Sequence, residues 1–153
     1  MPEDRTFMMG KFAAHLPGDL LYARNHMWAR REGERLRFGF TAYAIRLMQD
    51  VYFLEWHLSD GDMVTLSQGI GHIETSKAVA DLFAPMAGVV SAFNPELLDD
   101  PSGINVDGYQ AWLFEMAGDA TPLLDVVQYY QFLDENWEKT QRHIKGKINT
   151  EED

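Results

Sequence analysis

From Leu21 to Met116, glycine, proline, asparagine and aspartate cut the chain into apolar runs too short to be helices. The breaks recur roughly every 8–12 residues, the spacing of an antiparallel sandwich or barrel. Leu36, Phe38 and Phe40 alternate with Arg37 and Gly39 after a turn at Gly33, which predicts a half-buried hairpin over 21–40. Thr41 can cap a short helix carrying Ala44, Leu47 and Met48 at three- and four-residue spacing and ending near Gln49-Asp50. Further strands are predicted at Val51–Trp56, Met63–Leu66, Gln68–Ile73, Val79–Ala84, Val89–Phe93 and Tyr109–Met116. The connection over 94–108 is rich in Asn, Pro, Asp and Gly, with one helical turn at Pro95–Leu98.

The end of the chain changes period. Thr121-Pro122 reads as a helix cap and first-turn proline, and Leu123, Val126, Tyr130, Leu133 and Trp137 form a stripe expected to be buried against the sheet. Lys139, Arg142, His143 and Lys145 fall toward the end of that helix, where its dipole favours cations, and Gly146 is expected to close it. Residues 146–153 read as a disordered acidic tail.

A chain of 153 residues, 46% hydrophobic, buries its own core as one domain without staples. Its 24 acidic residues against 13 Lys+Arg give a formal charge of −11, which repels nucleic acid and anionic lipid and leaves proteins or small molecules as partners. Without cysteine there is no disulfide, thiolate metal site or thiol nucleophile. The apolar patches Phe7-Met8-Met9 and Phe12-Ala13-Ala14 are broken by Lys11 and preceded by Glu3-Asp4, so neither a signal peptide nor a transit peptide is read. The expectation is a cytoplasmic monomer with an N-terminal arm over 1–20, a domain over 21–145 that includes the C-terminal helix, and no membrane span.

Catalytic constellations are missing. His15, His26, His57, His72 and His143 are too far apart in sequence for metal-ligand spacing, so no metal is expected. Asp60/Asp62 and Asp99-Asp100 sit in turn-forming contexts. There is no phosphate loop and no nucleophile elbow. One residue stands out: Lys77 is the only lysine between Lys11 and Lys139, at a polar turn between two predicted strands. An exposed amine on a flexible four-carbon stem is a place to attach and swing a cargo.

The string Glu74-Thr75-Ser76-Lys77-Ala78, followed by Asp81, Pro85 and Gly88, resembles the lipoylation hairpin of the glycine cleavage system H protein, whose usual form is Glu-Ser-Val-Lys-Ala. Other pieces follow that family's order and spacing: Tyr22 to Arg30 with His26 and Trp28, Gly39-Phe40-Thr41 with Ala44, Asp50-Val51 to Glu55, Gly88-Val89-Val90, Asn94, Leu97, Pro101, Ile104-Asn105 and Trp112-Leu113. The resemblance covers about residues 21–135. It implies an all-β barrel-sandwich hybrid, like the lipoyl and biotinyl carriers, with a short helix after the first hairpin and a C-terminal amphipathic helix. It implies lipoate in amide linkage on Lys77, with Glu74 and Asp81 read by the lipoyl-attaching enzyme. Biotin carriers usually set their lysine between methionines, whereas Ser76 and Ala78 flank this one.

The implied role is a carrier and not an enzyme, shuttling an aminomethyl group from glycine decarboxylase to aminomethyltransferase and reoxidised by dihydrolipoyl dehydrogenase. An H-like protein of lipoyl relay or sulfur oxidation, and an unmodified interaction module, are the alternatives. Some positions depart from the family. Met27 stands where a glutamate is usual, Leu47-Met48-Gln49 replaces a segment ending in Leu-Gly, and Trp56-His57-Leu58 replaces a Leu-Pro turn. The resemblance makes the first two part of a cleft sheltering the aminomethylated arm, where methionine cannot hold an amine by charge; His26 and Glu55 are then the candidates to do so.

Overall fold

The strands expected through the middle of the chain form, and they enclose two cores. The computed structural model describes residues 2–152, with side chains through Gln141. In chain order the elements are β1 (Arg5–Met9), β2 (Phe12–Leu16), β3 (Leu21–Tyr22), β4 (Met27–Glu32), β5 (Arg35–Phe40), α1 (Ala42–Met48), β6 (Val51–Trp56), β7 (Met63–Val64), β8 (Gly69–Thr75), β9 (Val79–Phe83), β10 (Ala87–Phe93), α2 (Pro95–Asp99), a 3-10 turn (Pro101–Asn105), β11 (Trp112–Asp119) and α3 (Val126–Glu152). A six-stranded sheet in the order β3-β4-β5-β11-β10-β7 faces a three-stranded sheet β6-β8-β9, and β1-β2 is a separate hairpin. All pairings are antiparallel. Among the described residues these ladders close no barrel, so the architecture is a flattened sandwich flanked by helices.

The first core lies between the two large sheets. Phe38, Val90, Phe114 and Met116 from one sheet meet Ile70, Ile73 and Leu82 from the other. The turn that opens the six-stranded sheet depends on Gly33, whose φ of +65° is a conformation side chains with a Cβ disfavour. Thr41 caps α1 as expected, its hydroxyl accepting from the N–H of Ala44 at 3.1 Å.

The second core lies on the other side of β4. Met27 and Ala29 face the first core while Trp28 between them faces the second, so this strand is buried on both faces. Trp28 donates from Nε1 to the Gly108 carbonyl at 2.8 Å. Around it pack Phe7, Met9, Ala14 and Leu16 of the N-terminal hairpin, Tyr43 of α1, and Val126, Tyr129 and Leu133 of α3. The β1–β2 hairpin thus packs on the domain through the second core. Phe7/Met9 and Ala14/Leu16 alternate inward on paired strands, and that apolar face is covered by α3.

The C-terminal helix also differs from expectation. Thr121 binds Asp119 through its N–H and hydroxyl, a turn and not a cap. The cap is Asp125, which accepts from the N–H of Gln128 at 2.8 Å while the Gln128 side chain accepts from the N–H of Asp125 at 3.0 Å. The buried stripe is accordingly Leu124, Val126, Tyr129 and Leu133, with Leu123, Tyr130 and Trp137 half-buried. The backbone helix passes through Gly146 to Glu152; a glycine in a helix interior costs only about 1 kcal/mol relative to alanine. The side chains of Arg142, His143 and Lys145, and those of the expected tail at 146–153, lie outside the described residues. The last strand starts at Trp112 and not Tyr109, because Asp107 ties the preceding residues into a turn: its Oδ1 accepts from the Tyr109 N–H and its carbonyl from the Ala111 N–H. No helix is long and apolar enough to cross a membrane among the described residues.

Where the two elements of the second core meet, His26 has φ of +71° and its Nδ1 lies 2.9 Å from the Tyr129 hydroxyl. Desolvation pulls its pKa down to about 4. A depressed folded-state pKa means that the unfolded chain takes up the proton first as pH falls. Stability should thus be full above about pH 6.5 and decline, by on the order of 3 kcal/mol in all, toward pH 4. Urea unfolding across that range checks it: His26→Asn, which tolerates positive φ and does not titrate, should flatten this part of the profile. An unchanged slope would assign the acid sensitivity to other groups.

Candidate functional site

The β8–β9 hairpin brings Lys77 to its tip. The ladder pairs His72 with Asp81, Ile73 with Ala80 and Glu74 with Val79, and closes on Thr75 and Ala78. Thr75, nearly buried, locks that turn. Its N–H donates to the Ala78 carbonyl at 2.8 Å, and its Oγ1 accepts from the N–H groups of Lys77 at 3.1 Å and Ala78 at 3.2 Å. The hydroxyl thereby takes up backbone donors that the turn leaves over. Lys77 itself is exposed, and among the described residues no carboxylate reaches salt-bridge distance of its amine. A fixed backbone thus presents an unpaired, solvated amine.

The base of the hairpin is equally fixed. β6 pairs with β8, setting Val51 opposite Thr75. The Asn105 side chain then clamps Val51 from the 3-10 turn, its Nδ2 donating to the Val51 carbonyl at 2.8 Å and its Oδ1 accepting from the Val51 N–H at 2.9 Å. In sequence Asn105 is one more polar residue of the 94–108 connection; an amide can replace a strand neighbour in this way, but only the fold shows which strand. Gly71 of β8 leaves no room for a Cβ, which would collide with the Glu55 carbonyl. Next to this base, Gln49 and Asp50 adopt φ of +52° and +42°, an uncommon backbone for residues with side chains and the place where the resemblance would put a glycine. Asp50 meets the hairpin, its Oδ2 accepting from Ser76 Oγ at 3.4 Å.

Glu74 and Asp81 share the solvent face of the three-stranded sheet. Cross-strand rows run Phe53–Glu74–Val79 and Glu55–His72–Asp81, so both acids stand on one surface, interleaved with apolar side chains. Phe53 (38% exposed), Val79 (63%) and Phe83 (45%) leave apolar side chains uncovered on this face.

Two concavities lie beside the sheets. A groove of about 490 Å³ runs between α1 and the 105–109 segment, with Asp50 on its rim. A smaller cleft of about 120 Å³ lies between residues 23–25 and the end of β9, where Asn25 donates to the Phe83 carbonyl at 2.8 Å. Met27 lines neither. At 1% exposure it belongs to the first core, because β4 is covered on both faces and odd positions point inward. A glutamate placed there would be buried among apolar side chains. His26 turns inward to Tyr129, and Glu55 points out from β6 beside His57 and His72; neither lines either of these two concavities. The histidines read as mutually remote include one close pair, His57 Nε2 to His72 Nδ1 at 3.1 Å. Fifteen residues of sequence conceal that contact, and strand register creates it.

A family model described as Glycine cleavage H-protein matches residues 20–136, leaving the β1–β2 hairpin and the last turns of α3 outside. The chain is 40% identical over 119 residues to a glycine cleavage system H protein from Azoarcus sp. (strain BH72), an alignment spanning 74% of this chain and 93% of that one. It is 38% identical over 126 residues to the corresponding protein of Anaeromyxobacter sp. (strain K), spanning 78% and 97%. Among solved structures, a glycine cleavage system H protein from Mycobacterium marinum superposes with a TM-score of 0.65 at 27% identity, covering 79% of this chain and 98% of that one. With the fold, the lysine-tipped hairpin and these relatives in agreement, the chain belongs to the glycine cleavage H-protein family.

Proposed function

We propose that this protein is a lipoyl carrier of glycine cleavage, with lipoate in amide linkage on Lys77. The single observation that carries the reading is the hairpin itself: Thr75 fixes the turn, and the Lys77 amine extends from it exposed and unpaired. Acylation removes the charge, so a lysine already engaged in an ion pair would have to break it, and this one has none to break among the described residues. Lipoate, when bound, supplies the redox-active dithiol on which the aminomethyl group travels. The chain supplies no catalytic group. Its part is to hold one end of a long arm on a rigid sheet while the other end visits glycine decarboxylase, aminomethyltransferase and dihydrolipoyl dehydrogenase in turn.

Glu74 and Asp81 suit recognition by the lipoyl-attaching enzyme, since both stand on the face that leads to Lys77 and can steer a basic surface toward it. Glu74→Ala and Asp81→Ala should each slow lipoylation about threefold to tenfold with the unfolding midpoint unchanged. Modification rates equal to wild type in both variants would remove these acids from the account. The carrier role is tested by glycine–bicarbonate exchange. The lipoylated protein with its cognate decarboxylase should exchange far above a no-carrier control, and exchange at the control level, with both proteins intact, would overturn the glycine role.

A further inference from the structure

We propose that Glu55, His57 and His72 form a surface binding site for a borderline divalent cation, Zn2+ being the reference case. The three residues converge from two strands. His57 continues the β6 ladder, its N–H donating to the Ile70 carbonyl at 2.9 Å, so Glu55 and His57, two residues apart, emerge on one face. His72 is the ladder partner of Glu55 on β8. One donor atom from each lies within 4.8 Å of the other two.

The spacing suits a single ion. His57 Nε2 and His72 Nδ1 are 3.1 Å apart; two nitrogens bound to one tetrahedral zinc at about 2.0–2.1 Å would be about 3.3 Å apart. The two nitrogens need part by only tenths of an ångström, with the proton between them lost and the rings tilted so that both lone pairs converge on the ion. Glu55 Oε2 lies 3.5 Å from His72 Nε2 and 3.9 Å from His57 Nε2. From there it can accept a hydrogen bond from the ring nitrogen of His72 that faces away from the ion, or swing in as a third ligand. Phe53 backs the His72 ring at 5.5 Å between centroids, which limits its orientations. An imidazole–imidazole hydrogen bond beside a carboxylate would also account for these contacts, but it takes up no zinc, which is what the titration below separates.

Two imidazoles and a carboxylate select zinc, copper(II) or nickel(II) over magnesium or calcium, which prefer all-oxygen sites. At most three protein donors leave at least one position of a four-coordinate ion open, so the ion would be exchangeable and accessible to an outside ligand. The site is built from β6 and β8 alone and stands apart from both concavities.

Calorimetric titration of the full chain with zinc chloride, on protein produced without lipoate so that no arm dithiol competes, tests the proposal. One zinc per chain is expected. His57→Ala and His72→Ala should each weaken binding at least about tenfold, and Glu55→Gln by a smaller factor. His15→Ala, which removes a separate histidine–carboxylate pair, with Asp4 at 3.3 Å, should leave it unchanged. Imidazole NMR on the wild-type chain supplies a readout independent of any variant's folding: resonances of His57 and His72 should move first as zinc is added. No saturable uptake, uptake unaffected by both histidine variants, or shifts confined to other histidines would each overturn the assignment.

Discussion

Lys77→Arg should reduce glycine–bicarbonate exchange with a cognate decarboxylase to the level of a mixture lacking the carrier. Arginine keeps the positive charge and the length of the stem, but its guanidinium stays protonated and is not acylated as an amine is. The turn should be indifferent to the change, because Thr75 holds it through backbone N–H groups and not through the lysine side chain. The unfolding free energy is therefore expected to stay within about 0.5 kcal/mol of wild type. A complete loss of exchange with unchanged stability separates attachment from structure. Exchange retained by the variant would mean that the hairpin lysine carries nothing the reaction needs.

The largest stability effect is expected at Tyr129. Its ring is fully buried and stacks on Tyr22 at 4.5 Å between centroids with planes 2° apart, while its hydroxyl lies 2.9 Å from His26 Nδ1 and 3.3 Å from Thr41 Oγ1. It thus ties α3 to β3, to the turn before β4 and to the cap of α1. Tyr129→Ala should cost about 3–5 kcal/mol in urea unfolding through lost contact and the cavity left behind. Tyr129→Phe, which keeps the ring and strands its polar partners, should cost about 1–3 kcal/mol. Trp137 meets Phe7 and Tyr43 edge-on at 5.7 and 6.0 Å but is only half-buried, so Trp137→Ala should cost less than Tyr129→Ala. The reverse order would place the weight of the second core at its outer end.

The parts of this fold written in local chemistry were legible from sequence. The Gly33 turn, the Thr41 cap and the alternation of Leu36, Phe38 and Phe40 are decided by residues within a few positions of one another. The lysine hairpin was legible for the same reason, as a polar turn between two strand-forming runs. What failed was decided at a distance. The resemblance puts Met27 in a cleft, whereas the chain holds it in the first core, because nothing local reveals that β4 is covered on both sides. The covering is done in part by the β1–β2 hairpin, whose alternation of Phe7 and Met9 spans too few residues to stand out from a loose arm.

The helix start was a competition between two local signals. Thr121-Pro122 is a plausible cap, but Asp125 and Gln128 satisfy each other's N–H groups, and two reciprocal bonds outweigh one. Within the site, the bulge between Val51 and Phe53 resets the register so that Phe53, Glu55 and His57 all face outward. Pairing β6 with β8 then sets Glu55 beside His72. A bulge has no reliable signature in a single sequence, so the neighbourhood of Glu55, His57 and His72 could be found only in the folded chain.

The proposed carrier role rests on lipoate at Lys77. Its most direct test is the intact mass of the protein purified from its native host grown with ample lipoate, followed by fragmentation of the peptide that spans Glu74 to Asp81. A mass increase of one lipoyl group, localised to Lys77, is expected. A bare Lys77, or a lipoyl group found on Lys11 or Lys139 instead, would contradict it.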